Sequence, residues 1–302
     1  MTSAGYRVKS RVKNYLGSLK VPILALTPIS VILGAGAAFR SSGQIDKNSM
    51  LLLMFGAIAG HLSVIDFHDF FDYQAGHKMD AREIPYGGLV GNPAGTESAA
   101  RETLVLALFF LSVSAGICAY FTLTKGLPVL LLWLAGLFLL VTYPFLNKRI
   151  PLLSVFIPGA GLGVILVMLS CTAMGGGITR TSFIISLIPF FLVNAFFLVS
   201  HLLHDNVSGW NNLQIKNGRL LSGCLYALCI FCAYGSLILG RGLNAIPSDS
   251  LLALVTSYVA IPAAYGAVKY SRDVDDLISF PGFNLIICMI TPVLVAAGLF
   301  FG

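Results

Sequence analysis

An all-α integral membrane protein, a nine-transmembrane-helix bundle around an apolar cavity with a polar cap on its cytoplasmic side, is the fold class this sequence predicts. Three observations predict it. Hydrophobic residues make up 57% of the 302 residues and charged ones only 11%, where a soluble domain carries about 25% charged residues. The mean hydropathy of +0.86 is concentrated in apolar windows, each about 20 residues long and so able to cross hydrocarbon. Finally, the basic residues between those windows are sorted largely onto one side.

The first window, residues 21–39, follows Arg7, Lys9, Arg11, Lys13 and Lys20. That flank is too long, and the apolar core too uninterrupted, for a cleaved signal peptide with a small-residue exit site. Residues 1–20 therefore read as a basic cytoplasmic segment leading into a retained helix. The second window, 50–67, runs straight into His68 and Asp69. Between Tyr73 and Arg101 follows a loop containing Gly76, Gly87, Gly88, Gly91, Pro93 and Gly95, turn formers that favour irregular backbone close to a ligand. The third to fifth windows span 104–123, 127–146 and 152–174. The sixth, 183–203, ends in His201, His204 and Asp205, ahead of a polar loop with Asn206, Asn211, Asn212, Gln214 and Lys216. The seventh and eighth are 220–239 and 251–268. Arg272, Asp273, Asp275 and Asp276 come next and read as a solvated loop, since they lack helical register. The ninth window is 283–301.

With a cytoplasmic amino terminus, the first five basic residues share a side with Lys78, Arg82, Arg101, Lys148, Arg149, Lys216, Arg219, Lys269 and Arg272. Only Arg40, Lys47, Lys125, Arg180 and Arg241 fall opposite. This asymmetry predicts an amino terminus inside and a carboxyl terminus outside a cell membrane, read as prokaryotic. The net charge of +6 then reflects topology and attraction to anionic headgroups rather than nucleic acid, for which there is no basic stripe with interleaved aromatics. All six cysteines lie within apolar windows without zinc-site or disulfide spacing, and packing is their expected role. No short-period repeat or low-complexity tract divides the chain, so residues 1–302 are read as one membrane domain.

Two acidic clusters stand out because carboxylates at the edge of hydrocarbon are costly and generally functional. In the first, Asp66, Asp69 and Asp72 fall within an arc of about 120° on a helix. In the second, His201 and Asp205 lie one turn apart on one face. Two such helix ends facing each other across an apolar cavity suit a diphosphate held through Mg²⁺, because carboxylate oxygens match a hard cation that reaches phosphate oxygens directly. Apolar helices would then hold an isoprenoid tail. The bland reading of each group is plain: an acid at a helix end reaching headgroup water, a histidine bonded to a carbonyl within the bundle, a lysine or arginine serving as a topological anchor. Asp66, one turn deeper, reads as a remote acid, a base for an acceptor or a structural hydrogen-bonding group. His61 and His204 read as structural. Phe109, Phe110, Phe196 and Phe197 are candidates to flank a carbocation with their π faces, although lipid or core packing is the commoner fate of aromatics in a membrane.

The stretch His68-Asp69-Phe70-Phe71-Asp72-Tyr73-Gln74-Ala75-Gly76 resembles the Asn-Asp-x-x-Asp-Tyr-x-x-Gly signature of UbiA-type intramembrane prenyltransferases, with His68 where the family usually has Asn. Tyr143-Pro144-Phe145-Leu146-Asn147-Lys148-Arg149 is similar to the family's Tyr-Pro-x-x-Lys-Arg stretch. His201-Leu202-Leu203-His204-Asp205 resembles its Asp-x-x-x-Asp motif. The run from Gly209 to Gly218 resembles the Gly-Lys-x-Thr-Leu-x-x-Arg-x-Gly run of the dihydroxynaphthoate prenyltransferases of menaquinone synthesis.

The resemblance implies that Asp69, Asp72 and Asp205 hold Mg²⁺, or a related divalent ion such as Mn²⁺, against a polyprenyl diphosphate, with His201 in the remaining acidic position. It implies that His68, Lys78, Arg82, Lys148, Arg149 and Lys216 contact the diphosphate. The expected partners are a polyprenyl diphosphate, an aromatic or quinone-precursor acceptor and membrane lipid. His68 and His201 depart from the family pattern, and imidazole prefers softer metals than Mg²⁺. Three activities therefore stand side by side: prenyl transfer to an acceptor, cyclisation of the prenyl chain on itself, and non-catalytic binding or transport of an isoprenoid lipid.

Overall fold

The computed structural model describes residues 21–74, 97–149, 155–204, 218–271 and 280–302. Among these residues every regular element is helical, arranged as nine rods. Rod α1 is Leu26–Ser42, preceded by the single turn Val21–Leu24. Rods α2, α3 and α4 are Lys47–Gln74, Glu97–Lys125 and Leu127–Arg149. Rod α5 is broken into Ile157–Gly159, a π-helical turn Ala160–Ile165, and Leu166–Ala173. Rods α6 and α7 are Arg180–His204 and Gly218–Gly242. Rod α8 opens as a 3₁₀ helix, Ser248–Thr256, and continues as Ser257–Lys269, while α9 is Phe280–Phe301. Among the described residues, six helices are long and apolar enough to cross a membrane. Leu127–Tyr143 and Ile157–Ala173 are shorter apolar stretches.

The rods run up and down, and side-chain contacts fix their sense. Gly56, Gly60 and Ser63 of α2 meet Ile117, Ser114 and Ala107 of α3 in descending order, with Ser63 Oγ donating to the Ala107 carbonyl at 2.9 Å. Gly159 and Gly163 of α5 meet Asn194 and Phe190 of α6. Thr181 Oγ1 at the start of α6 donates to the Ala245 carbonyl just past the end of α7, at 2.9 Å. Tyr234 of α7, Thr256 of α8 and Thr291 of α9 share a buried hydroxyl chain with links of 2.7 and 2.8 Å. Such pairing matters here because lipid cannot replace a lost hydrogen bond. At the start of α2, the Ser49 hydroxyl and the Asn48 backbone N–H both donate to the Asp46 carboxylate, at 2.6 and 3.0 Å, and hold its pKa below the ordinary value.

In a bilayer, burying one apolar helix against another gains little from the hydrophobic effect, so close packing of small residues drives association. Rod α1 illustrates this, with Gly34, Ala35, Gly36, Ala37 and Ala38 all buried. A Cβ on Gly34 would stand 2.5 Å from the Val167 carbonyl oxygen and 2.6 Å from Ser170 Cβ, so α5 approaches α1 backbone to side chain with no room to spare. Rod α6 is the other central element, and its Ile185, Ile188, Leu192, Val193, Phe196 and Val199 belong to the main core together with residues of α1, α7 and α9. A smaller core of Val31, Leu53, Cys118, Phe121, Val129, Leu166 and Ala173 ties α1 to α5 at one end of the bundle. The six cysteines are free thiols within these helices.

Gly34→Ala should therefore cost about 1–3 kcal/mol through overpacking and lower the unfolding temperature in detergent. Gly116→Ala, where an added Cβ meets nothing within 4 Å, should leave it unchanged or slightly raised. Equal effects in the two variants would contradict the packing described.

Candidate active site

A cavity of about 330 Å³ lies among α1 to α6, a volume within the usual range for small-molecule sites of about 300–1,000 Å³. Its middle is apolar. Leu137 and Leu140 of α4, Leu162 and Ile165 of α5, and Ile65 of α2 form much of the wall. Two glycines widen it. Gly161 lies in the π turn of α5, where an added Cβ would meet nothing within 4 Å, and Gly136 faces Ile165 from α4. Val64 and Phe71 also line the cavity while remaining 42% and 43% exposed, so the cavity opens sideways along α2 into the membrane.

The π turn is held in place by α6. Asn194, wholly buried, accepts a hydrogen bond from the Gly159 N–H at 3.1 Å, a donor of the first turn of α5 with no partner within the helix. A Cβ on Gly163 would lie 2.4 Å from the Phe190 nitrogen, so the two backbones touch just beyond that bond. Single π turns in helices are rare and occur often at functional sites.

At one end of the cavity, the final turns of α2 and α4 converge. The rings of His68 and Tyr143 lie 5.8 Å apart, centre to centre, and both line the cavity with Phe67 and Phe71. Asp69 is half-buried beside them, and Tyr73 follows one turn later, also half-buried. Rod α6 reaches the same region through Phe197, which lines the cavity one turn ahead of His201. Asp66 is 2% exposed and is not among the residues that line the cavity.

Other residues expected from the sequence are placed less fully. Asp72 and His201 belong to α2 and α6, and Lys148 and Arg149 to the last turn of α4, but their side chains lie outside the described structure, as do Lys78, Arg82, Asp205 and Lys216 entirely. Of the four candidate phenylalanines, only Phe197 lines the cavity. Phe109 is 58% exposed on the lipid side, Phe196 is packed in the core and Phe110 is half-buried on α3. Phe67 and Phe71, close to His68 and Asp69 along α2, line the cavity as well.

The opposite end carries polar groups of which only His61 stands out in the sequence, where it reads as structural. Thr27 Oγ1 is hydrogen-bonded to His61 Nδ1, and the Trp133 indole N–H donates to Ser114 Oγ at 3.2 Å. All four residues line the cavity. Each type is common in apolar helices, and the partners are 34 and 19 positions apart, so only tertiary structure brings them together.

A many-helix membrane protein with an internal apolar cavity, opening to lipid and carrying histidine and tyrosine at one end with a half-buried carboxylate next along α2, defines a multi-pass intramembrane enzyme of hydrophobic substrates. Residues 28–291 match the UbiA prenyltransferase family, and the chain belongs to it. It is therefore a prenyltransferase. A solved structure from work on digeranylgeranylglyceryl phosphate synthase in membranes shares the fold, with a TM-score of 0.64 at 15% identity over 96% of this chain and 99% of that one. No curated protein matches the chain.

Asn194→Leu removes the acceptor used by the Gly159 N–H and should cost about 1–3 kcal/mol, seen as a lower unfolding temperature and faster hydrogen exchange at the start of α5. Unchanged exchange there would show that the bond does not hold the π turn.

Proposed function

We propose that this prenyltransferase moves a prenyl group from a polyprenyl diphosphate to an aromatic or quinone-precursor acceptor, of the kind used in menaquinone synthesis. The observation that carries this reading is the cavity itself: apolar along its length, open to lipid, and closed at one end by His68 and Tyr143, with the half-buried Asp69 next to His68 along α2. The prenyl chain lies against Leu137, Leu140 and Leu162, and the diphosphate sits at the polar end. There His68 and Tyr143 donate hydrogen bonds to phosphate oxygens, while Lys78, Arg82, Lys148, Arg149 and Lys216 supply positive charge from the adjoining loops and helix end. Donors aimed at charge that develops on the departing diphosphate act strongly in a site shielded from water.

The donor chemistry fits a hard divalent cation. Asp69 and Asp72 are three residues apart in the last turns of α2, and carboxylate oxygens suit Mg²⁺ or Mn²⁺. Asp69, Asp72 and Asp205 would hold the ion, with His201 a weaker or softer fourth donor. Such an ion neutralises diphosphate charge and makes it a better leaving group. Phe67, Phe71 and Phe197 present rings to the allylic cation. The proton lost from the acceptor carbon passes to a base, and the cavity-lining histidines are better placed for this than Asp66.

The asymmetry of basic residues supports a cytoplasmic diphosphate end. In the up-and-down bundle, Arg101, Lys148, Arg149 and Lys269 fall at the same end as His68. We read the chain as one membrane domain of nine spans in a prokaryotic cell membrane, with its amino terminus inside.

Purified protein given geranylgeranyl diphosphate, Mg²⁺ and a dihydroxynaphthoate should release diphosphate and form a prenylated ring. Asp69→Asn and Asp72→Asn should each lower this rate by about 100-fold or more. A cyclic hydrocarbon formed without acceptor would establish cyclisation instead, and no release by the parent protein with any divalent ion would refute catalysis of this reaction. His201→Asp should lower the Mg²⁺ concentration for half-activity, and an unchanged metal response would exclude His201 from the ion's surroundings.

A further inference from the structure

The polar groups at the inner end of the cavity are unexplained by diphosphate chemistry. His61 precedes His68 by two turns of α2, which places it about 10 Å deeper along the helix axis. Thr27, Ser114 and Trp133 reach the same zone from α1, α3 and α4, and an added Cβ on Gly60, the neighbour of His61, would lie 3.0 Å from Ser114 Oγ. Four helices thus bring hydrogen-bonding side chains to one place in the membrane interior. An ionisable residue at this depth is expensive to keep. A purely structural Thr27–His61 bond would be best served by a filled interior, yet the cavity is kept open beside it, with glycine at positions 136 and 161.

We propose that this inner belt binds the oxygen-bearing ring of the acceptor, with His61, positioned by Thr27, hydrogen-bonded to a phenolic hydroxyl or quinone carbonyl. The proposal rests on the prenyl-transfer reading and extends it to the acceptor. Distances agree with it. With a hydrogen bond of about 3 Å from His61 and a reacting gap of about 3 Å to the prenyl carbon, about 4 Å of that rise of about 10 Å is left for the breadth of one aromatic ring, which puts the prenyl carbon level with His68 and the diphosphate beyond it. The ring then presents its carbon toward the diphosphate end. Beside that ring a cavity of about 330 Å³ holds only the first units of the prenyl chain, against Leu137, Leu140 and Leu162, and the rest of the tail leaves through the lateral opening beside Val64 and Phe71. Ser114 and the Trp133 indole offer a second polar contact on the far side of the ring.

The test uses the full-length protein in nanodiscs, carrying Trp210→Phe so that Trp133 alone reports by fluorescence. Naphthalene-1,4-diol, kept anaerobic, and naphthalene are titrated as paired probes against empty-nanodisc controls. The parent should bind the diol at least about tenfold more tightly than naphthalene, the worth of one good hydrogen bond. His61→Leu and Thr27→Val should each erase that preference while leaving naphthalene binding within about twofold. In turnover assays the same variants should raise the acceptor KM at least about tenfold and leave the prenyl diphosphate KM nearly unchanged. Should His61→Leu fail to fold, the isosteric Thr27→Val carries the test. Equal binding of the two probes by the parent, or a preference that survives both substitutions, overturns the proposal. A preserved diol preference in a protein that never cleaves prenyl diphosphate would instead refute the prenyl-transfer reading and leave the oxygen-binding belt standing.

Discussion

The contact between α5 and α6 is the constraint on which the rest of the cavity depends. Asn194 satisfies the Gly159 N–H inside the membrane, and Gly163 lets the two backbones touch one turn later. Without a side-chain acceptor, the irregular start of α5 would leave a buried donor unpaired in a medium that offers no water, at a cost of about 1–3 kcal/mol. With it, α5 tolerates a π turn. That turn aims Gly161 at the interior and leaves a space that regular packing would fill. The surrounding helices are tied by small residues and short hydroxyl chains, so they frame the space rather than collapse into it.

The cavity that results has chemistry at both ends and hydrocarbon between. One end gathers His68 and Tyr143 from α2 and α4, while the other gathers Thr27, His61, Ser114 and Trp133 from four helices. A reaction between a charged leaving group and a polar ring, joined through an apolar chain, calls for such a division. The sideways opening beside Val64 and Phe71 lets a chain longer than the cavity remain partly in lipid. Binding along that chain contributes orientation, which in intramolecular models accounts for a large part of rate enhancement.

Much of the fold was legible because hydropathy reports membrane helices directly. The apolar windows at 104–123 and 220–239 are the interiors of α3 and α7. What hydropathy did not carry is local irregularity. The window 152–174 contains a π turn held by Asn194 on another helix, and the start of α8 is 3₁₀ rather than α, with Ser250 passing Gly298 at close range. At the site, charge against an apolar background exposed His68 and Asp69. Asp66, prominent for the same reason, is buried in the bundle, and neither it nor Asp69 is among the side chains that line the cavity, because which faces do so is a matter of helix rotation that charge does not encode. Phe71 lies inside the recognised motif and Phe67 just before it, where the acids carry the stronger signal. Thr27, Ser114 and Trp133 look ordinary in sequence and gain meaning only from partners far along the chain.

The most direct test of the central claim, that this cavity holds the prenyl chain with its diphosphate at the His68 end, is photo-crosslinking with a prenyl diphosphate carrying a diazirine on its second isoprene unit. In the presence of Mg²⁺, label should appear on α4 around Gly136 to Leu140 and on α5 around Gly161 to Ile165, and excess unmodified geranylgeranyl diphosphate should suppress it. Label confined to lipid-facing residues such as Phe231 and Tyr258, indifferent to Mg²⁺ and competitor, would contradict the account.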